Sequence, residues 1–128
     1  MNPSKVIGAS LRGVFWSPST GEAYARFFIA VSTGSVLELE RNAVTETKLP
    51  IEARSLETNF SAVLNGPGIS GIYGDGLGEV AVLLLSNQYL HVFGTFDGER
   101  TGNNLVLHSP PYEEDWVGLI QREWRRIC

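Results

Sequence analysis

The sequence repeats one arrangement of apolar segments and turns. Residues 11–15 and 69–73 are short apolar runs with a central glycine, and residues 28–32 and 82–86 are apolar runs that end in serine. The copies are offset by 58 residues at the first run and by 54 residues at the second. In both copies a glycine-rich loop separates the runs, and an alternating apolar segment follows after a turn. The pattern predicts two related three-stranded antiparallel meanders that share one core, whether by duplication or by similar patterning alone.

The length and composition of the chain indicate one domain. Its 128 residues are a typical domain length, and its 14 glycines and 6 prolines favour turns over long helices. We therefore expect a mostly β, α+β domain in which an antiparallel sheet carries one C-terminal helix. The predicted parts of this domain, residues 1–128, are a first meander over 5–40, an irregular connection over 41–68, a second meander and last strand over 69–109, and a helix over 112–127.

The predicted C-terminal helix is amphipathic. Trp116, Ile120 and Trp124 recur at helical spacing, with acidic residues before them and arginines after them, so the charges at both ends oppose the helix dipole favourably. We expect the apolar stripe to cover one face of the sheet. The other face is then expected to display Tyr24, Arg26, Tyr73, Tyr89, His91 and Phe93. The apolar runs at residues 23–31 and 80–85 do not alternate and are expected to be central strands.

The charge and the cysteine content limit the classes of partner and the cellular compartment that we expect. The net charge of −4 and the pI of about 5.1 are opposite to those of a protein that binds nucleic-acid phosphates. Acidic residues concentrate in residues 58–115, where Arg100 is the only lysine or arginine. Cys128 is the single cysteine, and the N-terminal segment has neither a signal-peptide core nor a membrane span. We expect a cytoplasmic protein that binds neither nucleic acid nor a membrane.

The sequence contains no motif that indicates a cofactor, a metal or a nucleophile. Residues 66–71 match a dinucleotide-binding glycine pattern, but a strand pattern follows them and Pro67 lacks an N–H group for a phosphate. Two histidines and one cysteine give no paired spacing for a zinc site. We therefore expect no catalytic residue, no cofactor, no metal and no enzymatic activity.

The two histidines are the remaining candidates for chemistry. His91 lies in an alternating strand and is expected on the sheet surface, whereas His108 ends a strand. Either histidine could pair with Asp97 or Glu99 as an acid–base couple. A histidine on the sheet surface or in the core, with no catalytic role, is the interpretation we favour.

The hairpin pattern of residues 69–74, 80–85 and 89–92 resembles that of the small bacterial immunity proteins that neutralise contact-delivered toxins. The resemblance covers about residues 5–109 and implies a role without identifying a site. It implies a non-enzymatic inhibitor that binds one protein partner, a basic toxin domain, as a monomer or homodimer and occludes its cleft. The partner-binding residues we expect are acidic groups on loop ends and aromatic anchors: Asp75, Glu79, Asp97, Glu99, Tyr73, Tyr89 and His91.

Two other classes of function remain open from the sequence. A structural subunit would associate with itself through the helix or an unpaired strand edge and would form concentration-dependent oligomers. A small-molecule binder or an enzyme would use a pocket near His91, and a ligand would raise its melting temperature in the wild type but not in His91→Ala.

Overall fold

The computed structural model describes residues 5–18, 25–39, 43–93 and 104–128, which form two antiparallel five-stranded sheets and two short helices. The strands of the first sheet are β1 (Leu11–Ser17), β2 (Arg26–Val31), β3 (Val36–Leu39), β4 (Val44–Thr47) and β5 (Arg54–Ser55). Those of the second are β6 (Ile69–Gly74), β7 (Val80–Leu84), β8 (Tyr89–Val92), β9 (Leu105–His108) and β10 (Arg125–Arg126). The helices are α1 (Glu57–Phe60), followed by a 3₁₀ turn at Ser61–Val63, and α2 (Trp116–Glu123).

The two sheets have the same strand order. The first is ordered β4-β3-β2-β1-β5 and the second β9-β8-β7-β6-β10. Both also carry a bulge at the same place, because the register between the first two strands shifts next to Gly13 in one sheet and next to Gly71 in the other. A Cβ atom at Gly13 would lie 2.6 Å from the ring of Phe15, and one at Gly71 would lie 2.8 Å from the ring of Tyr73. Glycine at these bulges lets the aromatic side chain two residues later fold back over the backbone.

Corresponding positions in the two sheets carry different chemistry. In the first sheet Val36 lies opposite Thr47, and at the same place in the second sheet Tyr89 lies opposite His108. The backbone framework is therefore shared, while the two histidines of the chain both lie on the second sheet.

The inner faces of both sheets form one core. Phe27 and Ile29 of β2 and Val82 of β7 are completely buried in a single cluster that draws on both sheets. Burial of each such side chain stabilises the fold by about 1.5–3 kcal/mol. The prediction that the two unalternating apolar runs are central strands is confirmed for their described part, since β2 and β7 each lie at the middle of a sheet. Residues 23 and 24 of the first run, including Tyr24, lie outside the described residues.

The prediction of a mostly β, antiparallel chain with a C-terminal helix is confirmed, but there are two sheets where one was expected. The reason lies in residues 41–68, which were expected to be irregular. This connection contains β4 and β5, which pair on either side of the first three strands and complete a separate sheet. Neither helix in the described ranges is long and apolar enough to cross a membrane.

The C-terminal helix is shorter than the predicted range of residues 112–127. It begins after Asp115, whose carboxylate accepts a hydrogen bond from the Gly118 N–H at 3.0 Å, and it ends at Glu123. Trp124 is extended, and the next two residues pair with β6 as strand β10. The helical spacing of the sequence continues past this point, but pairing with the edge of β6 satisfies the backbone groups of this segment instead.

The C-terminal helix contacts the face of the second sheet that was expected to be open. Ile120 packs in a second apolar cluster with Tyr73 and Tyr89, and both tyrosines are only 5% exposed. The alternation that separates these tyrosines from the main core is present as predicted, since Leu90 and Val92 lie in that core. The expectation of a displayed aromatic face is wrong for Tyr73 and Tyr89, because the inner face packs against the other sheet and leaves the outer face to the helix.

Candidate functional site

A cavity of about 420 Å³ lies between the outer face of the second sheet and the C-terminal segment. Strands β8 and β9 form its floor, and α2 with the residues just before it forms the opposite wall. Most of the lining is apolar or aromatic. The lining residues are Glu79, Tyr89, His91, Phe93, His108, Tyr112, Glu113, Trp116, Leu119, Ile120 and Trp124.

A chain of hydrogen bonds joins three polar side chains of this cavity. Nδ1 of His91 lies 3.2 Å from Nε2 of His108, and Nε2 of His91 lies 3.1 Å from Oε1 of Glu79. The pairing of β8 with β9 creates this chain, because it sets His108 opposite Tyr89 and within reach of the histidine two residues further along. Glu79 comes from the loop before β7.

Both imidazoles are neutral at neutral pH. Burial, together with the neighbouring His108, lowers the pKa of His91 to about 4, and the carboxylate of Asp75 opposes the shift. Burial also lowers the pKa of His108. A neutral ring has one donor and one acceptor nitrogen, and a carboxylate can only accept.

These facts determine which ring nitrogen of each histidine carries the proton. We assign the proton of His91 to Nε2, where it donates to Glu79, so that Nδ1 of His91 accepts a hydrogen bond from the Nε2–H of His108. His108 is then left with an unprotonated Nδ1. A single carboxylate therefore orients both rings and sets both tautomers.

Ring contacts hold the two histidines from the sides. The His108 ring stacks on Tyr89 with centroids 4.6 Å apart and planes at 20°. The His91 ring lies 4.4 Å from Phe93 and 5.8 Å from Trp124, centroid to centroid. The aromatic side chains therefore contact both imidazoles and limit the rotamers that the two histidines can adopt.

Tyr112 links the C-terminal segment to the turn between β7 and β8. Its hydroxyl donates to the backbone oxygen of Asn87, and its ring lies 5.9 Å from that of Tyr89. Burial raises the pKa of both tyrosines, so both phenols stay protonated at neutral pH. They therefore remain neutral hydrogen-bonding groups within the cavity wall.

Asp75 organises the loop that presents Glu79. Its Oδ1 accepts the backbone N–H groups of Leu77, Gly78 and Glu79 at 2.8, 3.0 and 3.0 Å. Burial raises the pKa of Asp75, but the hydrogen bonds outweigh burial and the net shift is downward. The carboxylate therefore serves the loop as an internal cap.

The structure brings together three of the predicted partner-binding residues, Glu79, Tyr89 and His91, all of which line the cavity. Tyr73 lies under the helix instead, with the guanidinium carbon of Arg126 5.8 Å from its ring centroid. Asp75 caps its loop as described above. Asp97 and Glu99 lie outside the described residues, so the suggested acid–base couples with them stay predictions.

The predicted partner-binding residues omitted His108, Tyr112 and Trp124, although His108 was a candidate for an acid–base couple. The sequence shows that His108 ends a strand, but only the register of β8 against β9 brings it to His91. Trp124 was predicted on the helix, yet it reaches the cavity from the extended residue that follows the helix. Among the described residues, no group of three His, Cys, Asp or Glu side chains is arranged to hold a metal ion.

Comparisons with known proteins give no family for the chain: no protein-family model, no curated protein and no solved structure matches it. The function therefore has to be argued from the site itself.

Proposed function

We propose that this protein binds a small organic molecule in the cavity between β8, β9 and α2. The observation that carries the proposal is the cavity, whose volume of about 420 Å³ is in the range of small-molecule sites. It combines the two features of such sites, a mostly apolar wall and a few polar groups held in fixed positions.

The arrangement of the polar groups supports a binding role. His91 forms hydrogen bonds with His108 at 3.2 Å and with Glu79 at 3.1 Å, and aromatic rings contact both imidazoles. A site whose side chains are already oriented loses less conformational entropy when a ligand enters. This preorganisation supports recognition of one orientation of the ligand.

We propose binding without turnover. Among the described residues, those that line the cavity include no serine, threonine, cysteine or lysine, side chains that often form covalent intermediates. The described part of the chain also has no metal-binding group. The apolar wall and the oriented polar groups of the cavity are the features that binding of a small molecule requires.

The experiment that tests binding is a thermal-shift screen of soluble, fragment-sized aromatic and aliphatic molecules. A true ligand raises the melting temperature in proportion to the logarithm of its concentration. Leu119→Trp places a larger side chain in the cavity wall and is expected to abolish the shift. Trp116→Phe and Trp124→Phe are expected to remove the change in fluorescence on binding, whereas Trp16→Phe, outside the cavity, retains it.

Two results would contradict ligand binding in this cavity. If no fragment raises the melting temperature, or if Leu119→Trp leaves the shifts unchanged, the cavity is not a ligand site. A circular-dichroism spectrum and an unfolding curve of Leu119→Trp establish that the variant is folded.

Inhibition of a basic toxin stays a second proposal. It is supported by the net charge of −4 and by Trp116, a large aromatic side chain that is 40% exposed and directly follows Glu113, Glu114 and Asp115. Aromatic anchors are enriched among the residues that dominate binding energy, and acidic groups attract a basic partner. Affinity purification from the native host tests it: a basic protein that co-purifies with the wild type and is lost with Trp116→Ala supports it, and its absence from cells that make the toxin contradicts it.

A further inference from the structure

We propose that His108 selects the ligand of this cavity by accepting, at Nδ1, a hydrogen bond from an O–H or N–H group of a flat aromatic molecule. This inference rests on the proposed function and concerns the chemical class of the ligand. His108 lines the cavity, and it is the last member of the hydrogen-bonded chain that runs from Glu79 through His91. The chain leaves Nδ1 of His108 as the polar atom for a ligand to meet.

The carboxylate at the other end of the chain makes Nδ1 of His108 an acceptor. A carboxylate accepts hydrogen bonds whatever else it contacts, so Nε2 of His91, 3.1 Å from Glu79, carries a proton. The neutral His91 ring then has a lone pair at Nδ1, and Nε2 of His108, 3.2 Å away, donates to it. Burial lowers the pKa of both histidines, so the His108 ring is also neutral and has its own lone pair at Nδ1.

This lone pair has capacity for a further hydrogen bond. Nε2 of His108 faces His91 and the ring face stacks on Tyr89, while none of the described residues donates to Nδ1. A ligand that takes the place of water at this nitrogen restores the hydrogen bond if it has a donor and leaves the acceptor unpaired if it has none. Sites of this kind discriminate strongly against analogues that lack the donor.

The rings around His108 favour a flat aromatic ligand. Tyr89 stacks on the imidazole with centroids 4.6 Å apart, and Phe93 meets the imidazole edge-on, at 83° and a centroid distance of 6.5 Å. Three further rings line the cavity, those of Tyr112, Trp116 and Trp124. Aromatic rings in stacked or edge-to-face contact gain energy beyond the burial of their surface, so an aromatic ligand is favoured over a saturated one of the same size.

The test compares phenol with fluorobenzene, which has nearly the same size and shape but no donor. Isothermal titration calorimetry measures binding of both to the wild type and to His108→Phe, a variant that keeps a ring at this position and lacks the nitrogen. We expect the ratio of the phenol affinity to the fluorobenzene affinity to fall about fivefold to tenfold in the variant. Cyclohexanol, the saturated counterpart of phenol, is expected to bind the wild type several-fold more weakly than phenol, and equal binding would contradict the aromatic class.

Tyr112→Phe is the matched control for His108→Phe. It also removes a polar group from the cavity lining, the phenolic hydroxyl, but leaves the imidazole in place. The ratio of the two affinities should therefore equal that of the wild type. A fall of the ratio in both variants alike, or in Tyr112→Phe alone, would show that His108 does not recognise the donor. Urea unfolding curves establish that both variants are folded.

A measurement on the unaltered protein decides the proposal even if His108→Phe does not fold. An unprotonated imidazole nitrogen changes its ¹⁵N chemical shift when it accepts a hydrogen bond. We expect saturating phenol to move the Nδ1 signal of His108 upfield and fluorobenzene to move it much less. A protonated Nδ1 of His108 in the free protein, or equal shifts with the two molecules, would overturn the proposal.

Failure of this inference is distinguishable from failure of the proposed function. An unchanged ratio in His108→Phe overturns the proposed ligand class and leaves the cavity a ligand site. The same conclusion follows if the fragments that raise the melting temperature all lack an aromatic ring or a hydrogen-bond donor. If neither phenol nor fluorobenzene binds and no fragment in the thermal-shift screen binds, both proposals fail together.

Discussion

His91 and His108 lie on neighbouring strands with Nδ1 of the first 3.2 Å from Nε2 of the second, so the carboxylate of Glu79 sets the tautomers of both rings. This relationship makes the histidines one unit. It also predicts how the protein responds to acid.

Acid is expected to destabilise the protein before the carboxylates titrate. In the folded state the pKa of His91 is lowered to about 4, while in the unfolded chain it is about 6.5, so the unfolded chain binds the proton more readily between these values. Stability should therefore fall as the pH drops from about 6.5 to about 4, by about 2–3 kcal/mol, with no further loss from this group below that range.

Urea unfolding over this pH range measures the effect, with His91→Gln as the comparison. The variant carries no titrating group at this position, so its stability should depend less on pH over the same window. An imidazole signal of His91 that titrates at or above pH 6.5 would show that Glu79 holds an imidazolium instead, contrary to the assigned tautomers.

Asp75 is expected to stabilise the loop before β7 through its three backbone hydrogen bonds. Asp75→Ala should cost about 1–2 kcal/mol, as loss of a helix cap does, and Asp75→Asn should cost less because it keeps an acceptor oxygen. Since the pKa of Asp75 is lowered, its contribution is present above about pH 4 and is lost as the pH falls through the folded value. Equal stability of the wild type and Asp75→Ala in urea would contradict the capping role.

Alanine at either bulge glycine is expected to be costly. A Cβ at Gly13 or Gly71 would meet the ring of Phe15 or Tyr73 at 2.6 or 2.8 Å, and Tyr73 has no free space because it is 5% exposed. Each substitution should destabilise the fold by about 1–3 kcal/mol. Gly66→Ala is the control, since its Cβ would have no neighbour closer than 3.6 Å. Denaturant midpoints of the three variants test this, and equal midpoints would refute it.

Cys128 is expected to react slowly in the folded protein. Burial raises the pKa of its thiol, although Arg126 partly opposes this, and the residue packs against the main core. Because the thiolate is the reactive species, modification by a coloured disulfide reagent should be much slower in buffer than in denaturant. Similar rates in both conditions would show that the C-terminal end of the chain is not held on the core.

The sequence predicts the strands better than it predicts which element packs against each of their faces. The alternation of residues 89–93 is sufficient to separate Leu90 and Val92, which enter the main core, from Tyr89 and His91, which do not. It cannot show that the inner face meets another sheet and the outer face meets α2, because each choice buries apolar surface. Local patterns specify faces, whereas the pairing of faces depends on contacts distant in sequence.

The candidate site, like the fold, could be predicted only in part from the sequence. His91 and Glu79 were singled out as surface groups for a partner, but their hydrogen bond depends on the loop that Asp75 caps. His108 joins them only through the register of β9, and Trp124 only because the helix ends at Glu123. The residue types were visible in the sequence, and their convergence on one cavity was not.

The most direct test of ligand binding uses the histidine rings themselves. The chain has two histidines, and both line the cavity, so imidazole ¹H–¹⁵N spectra report on this site alone. With the strongest ligand from the thermal-shift screen, we predict Nε2–H tautomers for both rings and shifts of both sets of signals that saturate with the ligand. A ligand that stabilises the protein while leaving both rings unchanged would bind elsewhere and would contradict the account.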